Sequence, residues 1–249
     1  MNNWLNPDNK FLSFMSKVFD TVVLNTIWLL ICVPLPILTI VWIGNTQNML
    51  FLILTIITLL PIVPATTAMY YSMVKAIRRE RSYAITEFFR SFIRNFKQGV
   101  IYSAIAIVIA AVLAVDFNYA WNMMKAGENA GSLYFGFFIV VTVLLSATYA
   151  YLCPLLSRFE MKTGAMFKMA FVLAVRHLLT TVTLLVLAVA VILGCYLVLP
   201  GMFVLPAVGT LLASFVIEKV FKKYMPEKEE LPEDENEEVH AEKDEWYLE

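Results

Sequence analysis

Ionisable residues are scarce in this sequence, making up 16% of its 249 positions against about 25% in an average soluble domain. Histidine occurs only as His177 and His240, and neither has a carboxylate arranged beside it. No GxSxG, HExxH or P-loop spacing is present. The patterns that activate a serine, hold a catalytic zinc or cradle a nucleotide phosphate are therefore missing, and the expectation is a protein that is no enzyme and carries no cofactor. The three cysteines, Cys32, Cys153 and Cys195, sit inside apolar runs without CxxC spacing. That excludes a disulfide framework and a zinc site as readings of the sequence. A cleavable leader is not expected either. Asp8, Lys10, Lys17 and Asp20 interrupt the first twenty residues, so the first span serves as its own insertion signal.

What the chain does have is apolar length. Hydrophobic residues make up 60% of it, and the mean hydropathy is +0.72. They arrive in runs of about twenty, enough to cross a hydrocarbon layer about 30 Å thick. The expected fold is all-α: a polytopic helical membrane protein with about six transmembrane helices and amphipathic interfacial helices. The spans are placed at 21–43, 49–74, 99–121, 133–156, 178–199 and 201–220. Between the last two only Pro200 and Gly201 signal a turn, with Pro206 beyond, which leaves two full spans or one bent hairpin open. Asn6 and Pro7 make a helix start, and Phe11, Phe14, Met15, Val18 and Val22 recur at helical spacing. A short interfacial helix is expected there, turning into the first span.

Charge divides the chain in two. Residues 226–249 hold twelve acids and two bases, leaving eight acids and seventeen bases in residues 1–225. The first part is the transmembrane domain and the second an acidic disordered cytoplasmic tail. The bases flank spans and do not suggest nucleic acid. Lys75, Arg78, Arg79, Arg81, Arg90, Arg94 and Lys97 follow the second span, and Arg158, Lys162, Lys168 and Arg176 follow the fourth. The positive-inside rule then sets both termini in the cytoplasm. Trp42 and Trp121, near the opposite ends of their spans, read as an aromatic belt.

Two groups of residues stand out as candidate sites. In the helix expected at 85–97, Ile85, Phe88, Phe89, Phe92 and Phe96 fall within an arc of about 100°, opposite Glu87, Arg90, Arg94 and Lys97. Such a helix either anchors in the bilayer interface or docks its aromatic face on a partner protein. Inside the spans, Asn25, Thr66 and Thr67 are candidate polar contacts between helices. The centres of all six spans lack Asp, Glu, Lys, Arg and His, which argues against ion-coupled transport.

Three blocks carry a resemblance: NPDNKF at 6–11 with Met15, Lys17, Asp20, Asn25 and Trp28; PATTAMYY at 64–71; and EFFRSFIRNFKQ at 87–98. Over residues 6–180 the chain resembles the bacterial YesL family of membrane proteins, domain of unknown function 624. One departure is the second apolar stretch that separates PILTI at 36–40 from Pro64, so the span count here comes from this chain's own runs. The resemblance implies an accessory or regulatory role in carbohydrate uptake beside the permease subunits of an ABC importer, because genes of the family often lie beside such importers. The alternative expectation is a self-contained transporter of a small neutral solute.

Overall fold

The computed structural model describes residues 10–46, 49–78 and 83–224. The helix start at Asn6 and Pro7, the bases Arg79 and Arg81, and the acidic tail lie outside the described residues.

Every regular element among the described residues is helical. Helix α1, Lys10–Cys32, runs without a break, so the expected turn between an interfacial helix and the first span is corrected. No proline or glycine falls between Lys10 and Cys32, and nothing interrupts the hydrogen-bond ladder there. The break comes at Val33, ahead of α2, Pro34–Thr46, where Pro34 and Pro36 lack the N–H groups that a straight helix would use. Val33 N still donates to Leu29 O at 3.0 Å and Ile37 N to Val33 O at 3.2 Å, so the two helices stay joined as one bent span.

The second span is bent in the same way. Helix α3, Met49–Leu59, gives way at Leu60 and Pro61 to α4, Ile62–Ser72. A π-helical turn, Met73–Arg78, then closes the segment. Helix α4 is the hub of the molecule, with nine of its 11 residues buried.

Helix α5, Ala84–Lys125, is 42 residues long, or about 63 Å at 1.5 Å per residue. The helix expected at 85–97 and the span expected at 99–121 are thus one continuous rod. A separate interfacial helix is corrected to the first third of α5, because no proline or turn signal divides the segment. At its far end Gly127 takes φ +79°. Glu128 N donates to Met123 O and Gly127 N to Met124 O, both at 3.1 Å, a Schellman closure that a side-chain-free residue favours. Helix α6, Asn129–Arg158, returns antiparallel.

After α7, Thr163–Arg176, and α8, Leu178–Leu197, the chain passes through a 3₁₀ turn, Leu199–Phe203, into α9, Leu205–Phe221. This settles the last pair as two helices of unequal length. The turn takes up Pro200 and Gly201, leaving α9 with 17 residues, about 25 Å. The other five runs are each long and apolar enough to span a bilayer.

The burial pattern is inside out by the standard of soluble proteins. Val108, Val115, Val140 and Ile192 face outward, while Asn25, Lys75, Glu87, Ser91, Arg158 and Glu218 are buried. Apolar side chains cost nothing against lipid tails, so polar groups collect where helices can satisfy them. Two apolar clusters meet along α4. One joins it to α5, α6, α7, α8 and α9 through Tyr102, Tyr151, Leu155 and Phe221; the other joins it to α1 and the start of α5 through Leu24, Met69 and Phe88.

Candidate functional site

Two ion pairs are buried near helix ends, one where α6 and α9 stop and one between the π turn after α4 and the start of α5. Arg158, the last residue of α6, contacts Glu218 on α9 directly, and both are almost wholly enclosed. Tyr70 on α4 donates its hydroxyl to Glu218 Oε1 at 3.0 Å, so one carboxylate ties three helices. Lys75, on the π turn, lies 3.3 Å from Glu87 Oε2 of α5 and donates to the Tyr71 hydroxyl at 3.4 Å. The π turn accommodates an extra residue per turn relative to an α-helix. It brings Lys75 onto the buried side together with Met73 and Val74.

Around these pairs cations sit on aromatic rings and carbonyls. Arg78 lies 4.5 Å from the centroid of the Phe215 ring and donates to Ser214 O at 3.1 Å, and Arg94 lies 5.4 Å from that of Tyr71. Nearby, His177 Nε2 is 2.9 Å from the Tyr224 hydroxyl. Burial, helped by the charges of Lys223 and Arg176, lowers the His177 pKa.

The residues singled out in the first third of α5 divide between two faces. Phe88 is fully buried in the α1–α4 cluster and Phe92 packs half-buried against it, their rings stacked at 6.3 Å. Glu87, expected on the polar side with the arginines, is buried against Lys75. The outward ridge is Phe89, Ile93 and Phe96, at 46%, 74% and 42% exposure, with Arg90, Arg94 and Lys97 exposed around it. Ser91, Asn95 and Gly99 complete the inward face. The aromatic arc of the helical wheel therefore straddles the line between core and surface.

Of the intramembrane candidates, Asn25 and Thr66 have hydrogen-bond partners on other helices. Asn25 bridges α1 to the start of α9: its amide donates to Met202 O at 2.8 Å, and its Oδ1 accepts from Ala207 N at 3.0 Å. It thereby caps a helix end that no side chain of α9's own supplies. Thr66 accepts from Trp28 Nε1 at 3.1 Å and donates to Ile62 O at 2.8 Å. Thr67 is fully buried on α4.

Arg158 and Glu218 were not singled out from the sequence, where each reads only as a charge at a span end. The available signal was that Glu87 and Glu218 are rare acids among bases. Their partners lie too far along the chain for spacing to reveal. A cavity of about 340 Å³ also opens between α4, α6, α8 and α9. Among the described residues no group of three His, Cys, Asp or Glu side chains could hold a metal ion.

The fold and the buried charges define an all-helical, polytopic membrane protein whose helices are locked near their ends by ion pairs. The family described as "Protein of unknown function, DUF624" matches residues 21–117, in agreement with the resemblance carried by the sequence blocks. No curated protein and no solved structure matches the chain. The matched segment holds Asn25, Thr66, Tyr70, Lys75 and Glu87 and stops before Arg158 and Glu218.

Proposed function

We propose that this is a non-enzymatic accessory or regulatory protein of the bacterial plasma membrane, with both termini cytoplasmic, that grips a permease subunit of a carbohydrate ABC importer. The observation that carries the docking is the ridge of Phe89, Ile93 and Phe96 on α5, flanked by Arg90, Arg94 and Lys97. Aromatic and arginine side chains are the usual anchors of protein interfaces. Here they stand on a helix whose opposite face is held by Phe88 and the Lys75–Glu87 pair, so the ridge is preorganised and loses little entropy on binding. The sugar importer as partner rests on the family resemblance, and the orientation on the bases that gather at one end of the bundle.

The test is recovery of importer subunits with the tagged protein from membranes solubilised in mild detergent. Phe89→Leu with Phe96→Leu keeps most of the apolar area but removes aromatic shape. A docking ridge should lose at least about 2 kcal/mol, close to a 30-fold drop in affinity. Undiminished recovery in a variant that folds normally would leave the ridge as a bilayer anchor. Solute flux by the protein alone in liposomes would favour the alternative, a self-contained transporter of a small neutral solute.

A further inference from the structure

The cavity between α4, α6, α8 and α9 is walled by residues that include Thr66, Tyr149, Cys153, Leu184, Val191 and Gly209. At about 340 Å³ it falls in the size range of ligand sites, roughly 300–1,000 Å³. Its walls are apolar, and their few polar groups are already committed. Trp28 Nε1 donates to Thr66, and Thr66 donates to Ile62 O. Tyr70 donates to Glu218 and Tyr149 to Tyr102 O, while Thr210 donates to Pro206 O. The remaining hydrogen-bonding side chain of the wall, the Cys153 thiol, is only a weak donor. A sugar or another polar solute would have to give up its water for a wall that offers almost nothing in return. Water itself needs two to four polar partners and finds few here.

The cavity also communicates with the outside of the bundle. Ala188 and Ile192 of α8 line it and are exposed on the outward surface, which in a spanning helix faces lipid. An apolar void open to hydrocarbon forfeits dispersion contacts unless a chain fills it.

We infer that this cavity is a binding site for the hydrocarbon chain of a membrane phospholipid, entering past Ala188 and Ile192. The chain packs between α8 and α4 and ends above Tyr70, so that an occupied site braces α8 and α9 against the hub helix. This does not depend on the docking role proposed for α5.

Trp28, on the cavity wall, supplies the reporter. In full-length protein with Trp4, Trp42, Trp121 and Trp246 each changed to Phe, detergent-solubilised samples are titrated with phosphatidylglycerol carrying brominated acyl chains. The expected result is a saturable loss of Trp28 fluorescence at stoichiometric lipid. It should be reversed by unbrominated phosphatidylglycerol and abolished by Ala188→Phe, which fills the mouth from an exposed position. Ala150→Leu fills the site from α6 and carries the test should Ala188→Phe fail to fold. Quenching that rises without saturation, equally in both filled variants, would overturn the site. So would strong quenching by aqueous iodide, which would make the cavity a wet solute path. Saturation with a brominated free fatty acid but not with the phospholipid would overturn the assignment to a membrane lipid.

Discussion

Glu218 accepts the Tyr70 hydroxyl and pairs with Arg158 while almost wholly shielded from solvent. Removing one member of such a pair strands the other in a medium of low polarity, at a cost of about 3–5 kcal/mol, whereas replacing both with apolar residues is often neutral. Glu218→Ala should accordingly lower the thermal midpoint in detergent sharply, and Glu218→Ala with Arg158→Met should restore most of the loss. Equal damage in the single and double variants would mean that the pair does more than lock helices. Asn25 gives a second test at this scale. Asn25→Leu leaves Ala207 N and Met202 O without the amide that satisfies them. Each orphaned group costs about 1–3 kcal/mol, so a strong loss of thermal stability is expected, with proteolytic sensitivity appearing first at the 3₁₀ turn Leu199–Phe203. Neither role could be assigned from sequence alone. Asn25 was marked as an intramembrane polar contact, but its partners are 177 and 182 residues away.

At the scale of elements, α4 and α5 approach closely because Gly99 faces Pro64. A Cβ on Gly99 would lie 2.9 Å from two carbons of the proline ring, and small residues of this kind let membrane helices pack without a hydrophobic drive between them. Gly99→Leu should force the two helices apart at a cost of about 1–3 kcal/mol. Gly136→Ala on α6, where an added Cβ meets nothing within 4 Å, should be neutral or slightly stabilising. A Gly99→Leu protein as stable as wild type would show that α4 and α5 slide freely. The blocks around these residues, PATTAMYY and EFFRSFIRNFKQ, were conspicuous in the sequence, and both belong to the α4–α5 contact. Their residue types signalled something specific. That α5 turns Phe88, Ser91 and Asn95 inward and Phe89, Ile93 and Phe96 outward, with Arg90, Arg94 and Lys97 beside them, depended on the rotation of α5 about the Gly99 contact and the Lys75–Glu87 pair.

For the whole molecule the central prediction is its orientation. With native cysteines replaced, single cysteines at Asn45 and Asn129 should react with an impermeant thiol reagent added to intact cells, and one at Ser82 should be shielded. Labelling at Ser82 would reverse the topology. This test reads the distribution of basic residues, which needs no tertiary information.

Composition and run length were enough to determine an all-helical chain in a membrane, because a backbone in hydrocarbon must satisfy its own hydrogen bonds and about twenty apolar residues are needed to cross. Pro200 and Gly201 marked where the last pair turns, while the bends of the first two spans, at Val33 and at Leu60 and Pro61, are read from the structure. Only the tertiary structure decided that α5 is a single rod, that α9 is short, and that Arg158, Glu218, Lys75 and Glu87 are buried partners and not loose charges at span ends. In a soluble protein the hydrophobic pattern of a helix points to its buried face. Here lipid is as apolar as the core, so that pattern loses its direction, and the inward faces are set by small residues, capping amides and ion pairs joined across distant parts of the chain.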